Sequence, residues 1–437
     1  MKNKFYLMFD YLLILVVLIL VSIGVMFIYS SSINSEGISV TNEYIKQIIW
    51  GSIGFVIMIL MTLYDYRKLQ SKAIYLYLFL IVLLIYTRLF GRYVNGAKSW
   101  IGIGEFGIQP SEFGKVFFIL FLAAVLDNTQ NIHPLRRFIY AIGVLLIPMG
   151  LILLQPDLGT SSVYVPIFLV MCFIAGIPLM YLLYVLSFGI LTIFFAILPV
   201  WNNEIADKSF AIISILTTMK LRLILISAIF IITLLGYVIR RYLHGPKYIF
   251  WITYVASIIT LALIFSFLLG KFLKDYQIKR LIIFMNPNKD PLGAGWNIIQ
   301  SKVAIGAGGL MGQGYLQGTQ SHYRFLPQQS TDFIFSILSE EFGFIGCCLI
   351  YFLYFIILLK ILYIIRKCVN KFGTYICAGI FGMFTFHFFI NVGMVMGMMP
   401  ITGIPLQFLS YGGSSLLTAM TCIGLVMNVN CRKYDLK

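Results

Sequence analysis

Residues 11–29 read YLLILVVLILVSIGVMFIY, a run without a charged residue. A helix rises about 1.5 Å per residue, so roughly 20 apolar residues cross a bilayer core about 30 Å thick. This run meets that length. Lys2 and Lys4 precede it, as in a secretory leader, but the apolar core of a leader has only about 7–15 residues. Ser30-Ser31-Ser32 is also a poor cleavage site. The run is expected to remain as a first spanning helix. The rest of the chain repeats the pattern. Of its 437 residues, 60% are hydrophobic and 11% charged, and the mean hydropathy is +0.94. A soluble domain is about 45–50% apolar and about 25% charged. A soluble enzyme, a disordered tail protein and a nucleic-acid binder are thereby excluded. The last needs basic residues clustered on a wet face, whereas the +16 charge here is divided among short stretches between apolar runs.

Hydropathy windows place spans at about 9–30, 45–64, 74–91, 110–127, 138–155, 160–176, 178–200, 222–241, 248–270, 333–359, 374–398 and 409–430. The expected fold is an all-α polytopic membrane protein of about twelve helices. An even number puts both termini on one side. With the N-terminus inside, 17 of the 32 Lys and Arg fall on inner segments, and 15 on outer ones. Seven of those 15 lie between Lys271 and Arg324, around one long outer segment that counts little towards orientation. Both termini are expected in the cytoplasm. The long segment, 274–332, is rich in apolar residues and glycine, so it reads as a large folded outer loop. Within it Trp296, Ile299 and Val303 share a helical face, as in a short helix lying in the membrane interface. Seven cysteines, an odd number with no C-x-x-C, support neither a disulfide framework nor a zinc site. The four histidines, His133, His244, His322 and His387, are scattered.

Where charge is scarce, each acidic residue near a span matters, because an ionisable group at membrane depth is usually paired or functional. On the outer half these are Glu112, Asp157, Asp290, Asp332, Glu340 and Glu341. In FGIQPSEFGK, 106–115, Glu112 and Lys115 are three apart and share a helix face. They form either an ion pair joining helices or a site in which Lys115 faces a cavity and an anionic substrate. Asp157 in QPDLGT reads first as a helix cap. Asp290 sits in NPNKDPLG, held outside a helix by two prolines and a glycine, either as a turn residue or as a functional one in the outer loop. The run AIGAGGLMGQG, 304–314, has no following G-K-[ST], so a nucleotide phosphate loop is excluded. Its backbone could still approach a ligand. Lys98, Lys115, Lys274, Lys279, Arg280, Lys289 and Lys302 form a candidate basic field for an anionic lipid head group such as a diphosphate.

At these residues the chain resembles the SEDS (shape, elongation, division and sporulation) peptidoglycan glycosyltransferases. The matching blocks are GAKSWI (96–101), QPSEFGK (109–115), QPDLGT (155–160), the long stretch 286–344 with DPLGAGW, QSKVAIGAGGL, GQGYLQGTQS, FLP and TDFIFSILSEEFGF, and finally MPITGIPLQFLSYGGSS up to Ser415. They run in order over nearly the whole chain, 1–437, which is then one membrane domain. The step Gly318-Thr319-Gln320-Ser321 is similar to the RodA, or elongation, branch.

The resemblance implies polymerisation of lipid II into glycan strands for cell elongation and rod shape, on the outer face of a bacterial plasma membrane. Undecaprenyl diphosphate is the leaving group. Asp290 matches the family's essential aspartate, here a general base on the acceptor 4-hydroxyl, and Trp100 its essential tryptophan. Glu112, Lys115 and Asp157 match other important positions. Lys289, with Lys115, Arg280 and Lys302 nearby, would meet the diphosphate, together with a divalent cation, Mg or Mn. The implied partners are a class B penicillin-binding protein, which is a transpeptidase, and the elongation machinery. Two departures stand out. Gln328-Gln329-Ser330 replaces a run that often holds Glu and His. Family members have ten spans, so 177–247 reads as a two-helix insertion into a ten-helix core. Competing readings are a lipid II flippase, which needs no base, and a non-catalytic scaffold for a transpeptidase. A secondary transporter predicts matched broken helices in two halves, and no such repeat is present.

Overall fold

The computed structural model describes residues 9–94, 96–102, 107–204, 213, 216, 218–242, 246–272, 280, 283–284, 286–287, 291 and 295–433. The chain divides into one compact unit of residues 1–177 and 296–437 and a second of residues 178–295.

The first unit holds α1 (Tyr11–Ser32), α2 (Glu43–Leu63), α3 (Arg67–Phe90), a hairpin of β1 (Arg92–Val94) and β2 (Ala97–Trp100), then α4 (Pro110–Asn128), α5 (Pro134–Leu154) and α6 (Leu158–Ile174). The second holds α7 (Leu179–Glu204), α8 (Met219–Tyr242) and α9 (Lys247–Phe272). The chain re-enters the first unit with α10 (Trp296–Gly308), α11 (Thr319–His322), α12 (Ile334–Lys367), α13 (Lys371–Val395) and α14 (Gly413–Cys431). A helix lies at each of the twelve expected spans. Among the described residues, ten are long and apolar enough to cross a membrane. Of the other two, α4 carries Glu112, Lys115 and Asp127, and α6 is a shorter apolar helix. The protein is an all-α, multi-pass membrane protein.

Local chemistry sets the ends. Asp10 caps α1 by accepting from the Leu13 N–H at 3.2 Å, and it holds Lys360 at 3.0 Å. Prolines open α4 and α5, where a missing N–H costs nothing. Asn370 caps α13 through the Gly373 N–H. Packing in the first unit depends on small residues that let helices approach closely. A Cβ at Gly54 of α2 would lie 2.9 Å from Met420 of α14, and one at Gly424 would lie 2.6 Å from the Met58 carbonyl. Gly379 of α13 faces Ile119 and Met171 in the same way. Arg137 is buried and donates to the Leu126 carbonyl in the last turn of α4 and to the Ala175 carbonyl that ends α6, each at 2.6 Å. One guanidinium thus closes two helix C-termini, where a cation is favoured.

In the second unit, polar contacts join the helices at several points. Tyr254 donates to the Met180 carbonyl at 2.7 Å, and Tyr184 meets Ser257 at 3.1 Å. Arg222 donates to the Leu263 carbonyl at 3.0 Å and to the Ser266 hydroxyl at 2.6 Å.

The expected short helix is present as α10, and two features of 296–345 set its packing. The face of α10 that is buried carries Ile298, Ser301, Ala304 and Gly308, while Val303 is 45% exposed. Small residues win this face because α10 lies against the backbone of α12 at Ser339 and Glu340. Ser301 also bonds to Ser336 at 2.8 Å and to the Val395 carbonyl at 2.7 Å. Next, α12 is broken at Gly343, with φ 61° and ψ −159°. The glycine-rich run enters that break. The N–H groups of Gln313 and Gly314 donate to the carbonyls of Glu340 and Glu341, each at 3.0 Å. The N–H groups of Phe344 and Ile345 donate to the carbonyls of Gly309 and Leu310. The backbone that these glycines let approach is that of α12. Groups left orphaned by a helix break need such partners inside a membrane.

Candidate active site

The first turns of α4, α6 and α14 meet at one end of the first unit. The Gln109 N–H, just before α4, donates to the Ser414 hydroxyl at 3.1 Å. Its side-chain amide donates to Asp157 at 2.8 Å. Asp157 is the cap of α6, as its sequence suggests. One carboxylate oxygen accepts from the Thr160 N–H at 2.9 Å, and the other accepts from the Thr160 hydroxyl at 2.8 Å. The segment before α14 passes through the same place. Gly159 lies against the Thr402 carbonyl, and Asn391 of α13 donates to the carbonyls of Ile404 at 2.9 Å and Asp332 at 3.0 Å. Phe408 in that segment has φ +67° although it is not glycine. Several sites hold it. Gln47 donates to the Ser410 carbonyl at 3.1 Å, the Tyr411 N–H donates to the Ser330 carbonyl at 2.8 Å, and the Tyr354 hydroxyl donates to the Gln407 carbonyl.

Below this end lies a buried polar chain. Lys115 is fully buried, and its ammonium donates to Glu112 Oε1 at 2.7 Å, so the pair is an ion pair of the interior. It makes a second contact, 3.1 Å to His387 Nε2 on α13. His387 Nδ1 lies 3.0 Å from the Pro405 carbonyl. The Gln407 amide nitrogen lies 3.1 and 3.3 Å from the two ring nitrogens, and its oxygen accepts from Ser415 at 3.2 Å. Around these groups the second Glu112 oxygen, the Ser111 hydroxyl, and the side-chain oxygens of Gln155, Asn391 and Thr402 are buried without a hydrogen-bond partner among the described residues. This end of the unit is therefore rich in unsatisfied acceptors.

Trp100 ends β2 and is half-buried, and a Cβ at Gly107 would lie 2.8 Å from its ring. Its strand is pinned at the C-terminal end of α5, since the Lys98 N–H donates to the Gln155 carbonyl at 3.2 Å. Lys98 itself donates to the Leu89 carbonyl at 2.7 Å. Lys302 is exposed on α10. Asp290, Lys289, Lys274 and Lys279 lie outside the described residues. Arg280 is described as a single half-buried helical residue of the second unit. The structure thus brings together Glu112, Lys115 and Asp157 at the α4 and α6 starts.

Glu340 is bonded through both carboxylate oxygens, and Glu341 through one, its second oxygen being buried without a hydrogen-bond partner among the described residues. Glu340 accepts from the Thr319 hydroxyl at 3.0 Å and the Gln320 N–H at 2.8 Å, and so begins α11. Glu341 accepts from the Ser30 hydroxyl of α1. Beside it, burial first and the Glu341 carboxylate second push the Tyr315 phenol above its usual value, and this phenol donates to the Met26 carbonyl at 3.1 Å. Among the described residues, no group of three or more His, Cys, Asp or Glu is placed to hold a metal ion.

Sequence reasoning passed over His387 and Gln407. The signal available was an ionisable ring in an apolar span, which is costly unless partnered.

A bundle of apolar helices with one loop-covered, acceptor-rich end defines a multi-pass membrane protein with a site at that end. Comparison with known proteins makes this specific. The profile of the FtsW/RodA/SpoVE cell cycle proteins matches residues 10–206 and 202–435. The chain belongs to this family of membrane-embedded peptidoglycan glycosyltransferases. It is 53% identical over 428 residues to the peptidoglycan glycosyltransferase RodA of Treponema pallidum, covering 97% of this chain and 98% of that one. It is 30% identical to the peptidoglycan glycosyltransferase MrdB of Escherichia coli K12, covering 97% and 94%. Among solved structures, a chain from the work "Structural coordination of polymerization and crosslinking by a peptidoglycan synthase complex" shares the fold, with a TM-score of 0.68, 24% identity and 98% and 99% coverage. The crystal structure of Thermus thermophilus RodA does so at TM-score 0.59 and 21% identity, with 98% of each chain covered.

Proposed function

We propose that the chain polymerises lipid II into glycan strands on the outer face of the plasma membrane, with both termini in the cytoplasm. The observation that carries this is the near-full-length identity to a peptidoglycan glycosyltransferase, 53% over 428 residues. The chemistry is a displacement. The acceptor 4-hydroxyl oxygen bonds to the donor anomeric carbon as the bond from that carbon to the lipid diphosphate breaks. The hydroxyl proton passes to Asp290 as general base. Undecaprenyl diphosphate is already a good leaving group, so one carboxylate suffices where glycosidases need two.

The supporting residues follow from their surroundings. By the family resemblance, Lys289, Arg280 and Lys302 are assigned to the diphosphate. Lys115 has its charge balanced by Glu112 in the interior, so it sets the position of α4 and leaves the diphosphate to others. Trp100, packed on Gly107 at the edge of this end, offers a ring face to a sugar. Asp157 and Glu340 use both carboxylate oxygens at helix starts. The described residues therefore do not form a cage for Mg or Mn. Any divalent cation would be held by Asp290 and the diphosphate itself, and the reaction is written without it.

The partner we propose is a class B penicillin-binding protein, a transpeptidase of the elongation machinery. The structural neighbour from a peptidoglycan synthase complex that coordinates polymerisation and crosslinking supports this. The test is lipid II polymerisation by purified protein, with and without that partner. Asp290→Asn should make no polymer. Polymer made by that variant at the wild-type rate overturns the base assignment. Flipping of lipid II without polymerisation by wild-type protein would favour transport instead.

A further inference from the structure

We propose that His387 is a positioning residue, held neutral, that fixes Lys115 and through it the start of α4 beneath the site; this rests on the glycosyltransferase reading above. The four participants come from distant parts of the chain. Glu112 and Lys115 are on α4, His387 is on α13, and Gln407 lies in the segment leading to Ser415 of α14. Lys115 and His387 are 0% and 1% exposed.

The partners fix the state of the ring. The Pro405 carbonyl can only accept, so Nδ1 carries the proton. The Lys115 ammonium can only donate, so Nε2 is bare. A protonated ring would put a second cation beside Lys115 with one carboxylate between them. A neutral imidazole with its proton on Nδ1 is the form that satisfies both contacts; bare Nε2 is then the ring atom that accepts from the Gln407 amide, at 3.3 Å, and the cluster is left without net charge. A second carboxylate in place of His387 would overcharge it, and an apolar side chain would leave an ammonium proton unpaired where water is scarce.

This arrangement reaches the site directly. Glu112 and Lys115 occupy the first two turns of α4. The residue before that helix, Gln109, bonds both the α6 cap Asp157 and the α14 residue Ser414. Rotation of α4 about its axis would move all of these together. His387 holds that rotation from α13, and Gln407 ties the ring to α14. No contact of His387 with substrate is required; it acts through Lys115.

The experiment compares His387→Leu, His387→Gln, Gln407→Met and Arg137→Met in lipid II polymerisation, with kcat expressed per folded molecule and a thermal melt for each. Gln can still accept from Lys115, and Leu cannot. We expect His387→Leu to lower kcat tenfold or more with KM within twofold, and His387→Gln to recover kcat to within threefold. Gln407→Met, which keeps the imidazole, should lower kcat two- to fivefold, and it decides the matter if His387→Leu does not fold. Arg137→Met is the control for a merely structural role. It breaks a buried clasp at the opposite ends of α4 and α6, so it should lower the melting temperature and leave kcat per folded molecule unchanged. Wild-type kcat in both His387→Leu and Gln407→Met overturns the proposal, as does equal loss in His387→Leu and His387→Gln. If wild-type protein makes no polymer, the functional reading itself fails, and this inference falls with it.

Discussion

Helices α14 and α8 are both expected to sit in a bilayer, yet they are built on opposite rules. The most apolar window of α14 has a mean hydropathy of 1.4 and is 94% buried inside the protein, whereas that of α8 has 2.4 and is 11% buried. The same contrast separates α13, at 1.6 and 67%, from α7, at 2.4 and 11%. In water the apolar segments would be the buried ones. In lipid the tails are as apolar as leucine, so burial is not driven by removing apolar area from solvent, and helices associate through close packing and hydrogen bonds. The first unit therefore concentrates its polar groups and glycines at helix contacts, and the exposed residues along α8 between its charged ends are mostly Leu, Ile and Phe. In both of these pairs the less apolar span is the more deeply buried one.

Three substitutions probe that contrast. The largest effect is expected in the polar interior. Lys115→Met leaves Glu112 as an uncompensated buried charge, a loss of the kind that costs about 3–5 kcal/mol. Its melting temperature in detergent should fall steeply, and the double variant Glu112→Leu/Lys115→Met should regain much of the loss. A double variant no more stable than the single one would show that the pair is not a self-contained unit. A smaller but definite effect should follow Gly343→Ala. Its Cβ would lie 2.8 Å from the Leu310 carbonyl at a positive φ, and overpacking of this kind costs about 1–3 kcal/mol. Unchanged stability would mean that the break in α12 tolerates a side chain, and close approach would lose its role there. The smallest change is expected in the second unit, from Arg222→Leu. The Ser266 hydroxyl already donates to the Leu263 carbonyl at 2.9 Å, so both partners keep a bond within α9. An unpaired buried guanidinium is itself costly, so replacing it by an apolar side chain removes a penalty along with the two bonds. A shift within about 1 kcal/mol is expected. A loss as large as that of Lys115→Met would erase the distinction between the units.

The positions of the spans were legible because lipid imposes a length and an apolar composition on each crossing. The Glu112–Lys115 pair was legible because three residues of helix bring its members to one face, and the Asp157 cap because a carboxylate before a helix start has one common use. What the sequence concealed depends on distance along the chain or on the sign of the packing rule. His387 is 272 residues from Lys115, and no local pattern joins them. The stripe Trp296, Ile299 and Val303 stands out as the significant face of α10 because it is the apolar one. The face that packs is Ile298, Ser301, Ala304 and Gly308, chosen by size. Glu340 and Glu341 stand out as acidic residues near a span, but their service to α11 and α1 comes from tertiary placement alone.

The splice at Gly343 has a kinetic meaning. The hydrogen-bond ladder of α12 does not stop at the break; it changes strand, running from the carbonyls of Glu340 and Glu341 into the amides of Gln313 and Gly314, and back through Phe344 and Ile345. The two segments, although separated in sequence, share one cooperative opening event. Amide exchange at Gln313 and Gly314 should then be as slow as in the body of the helix they complete, so that a stretch with the composition of a flexible linker has the lifetime of a transmembrane span.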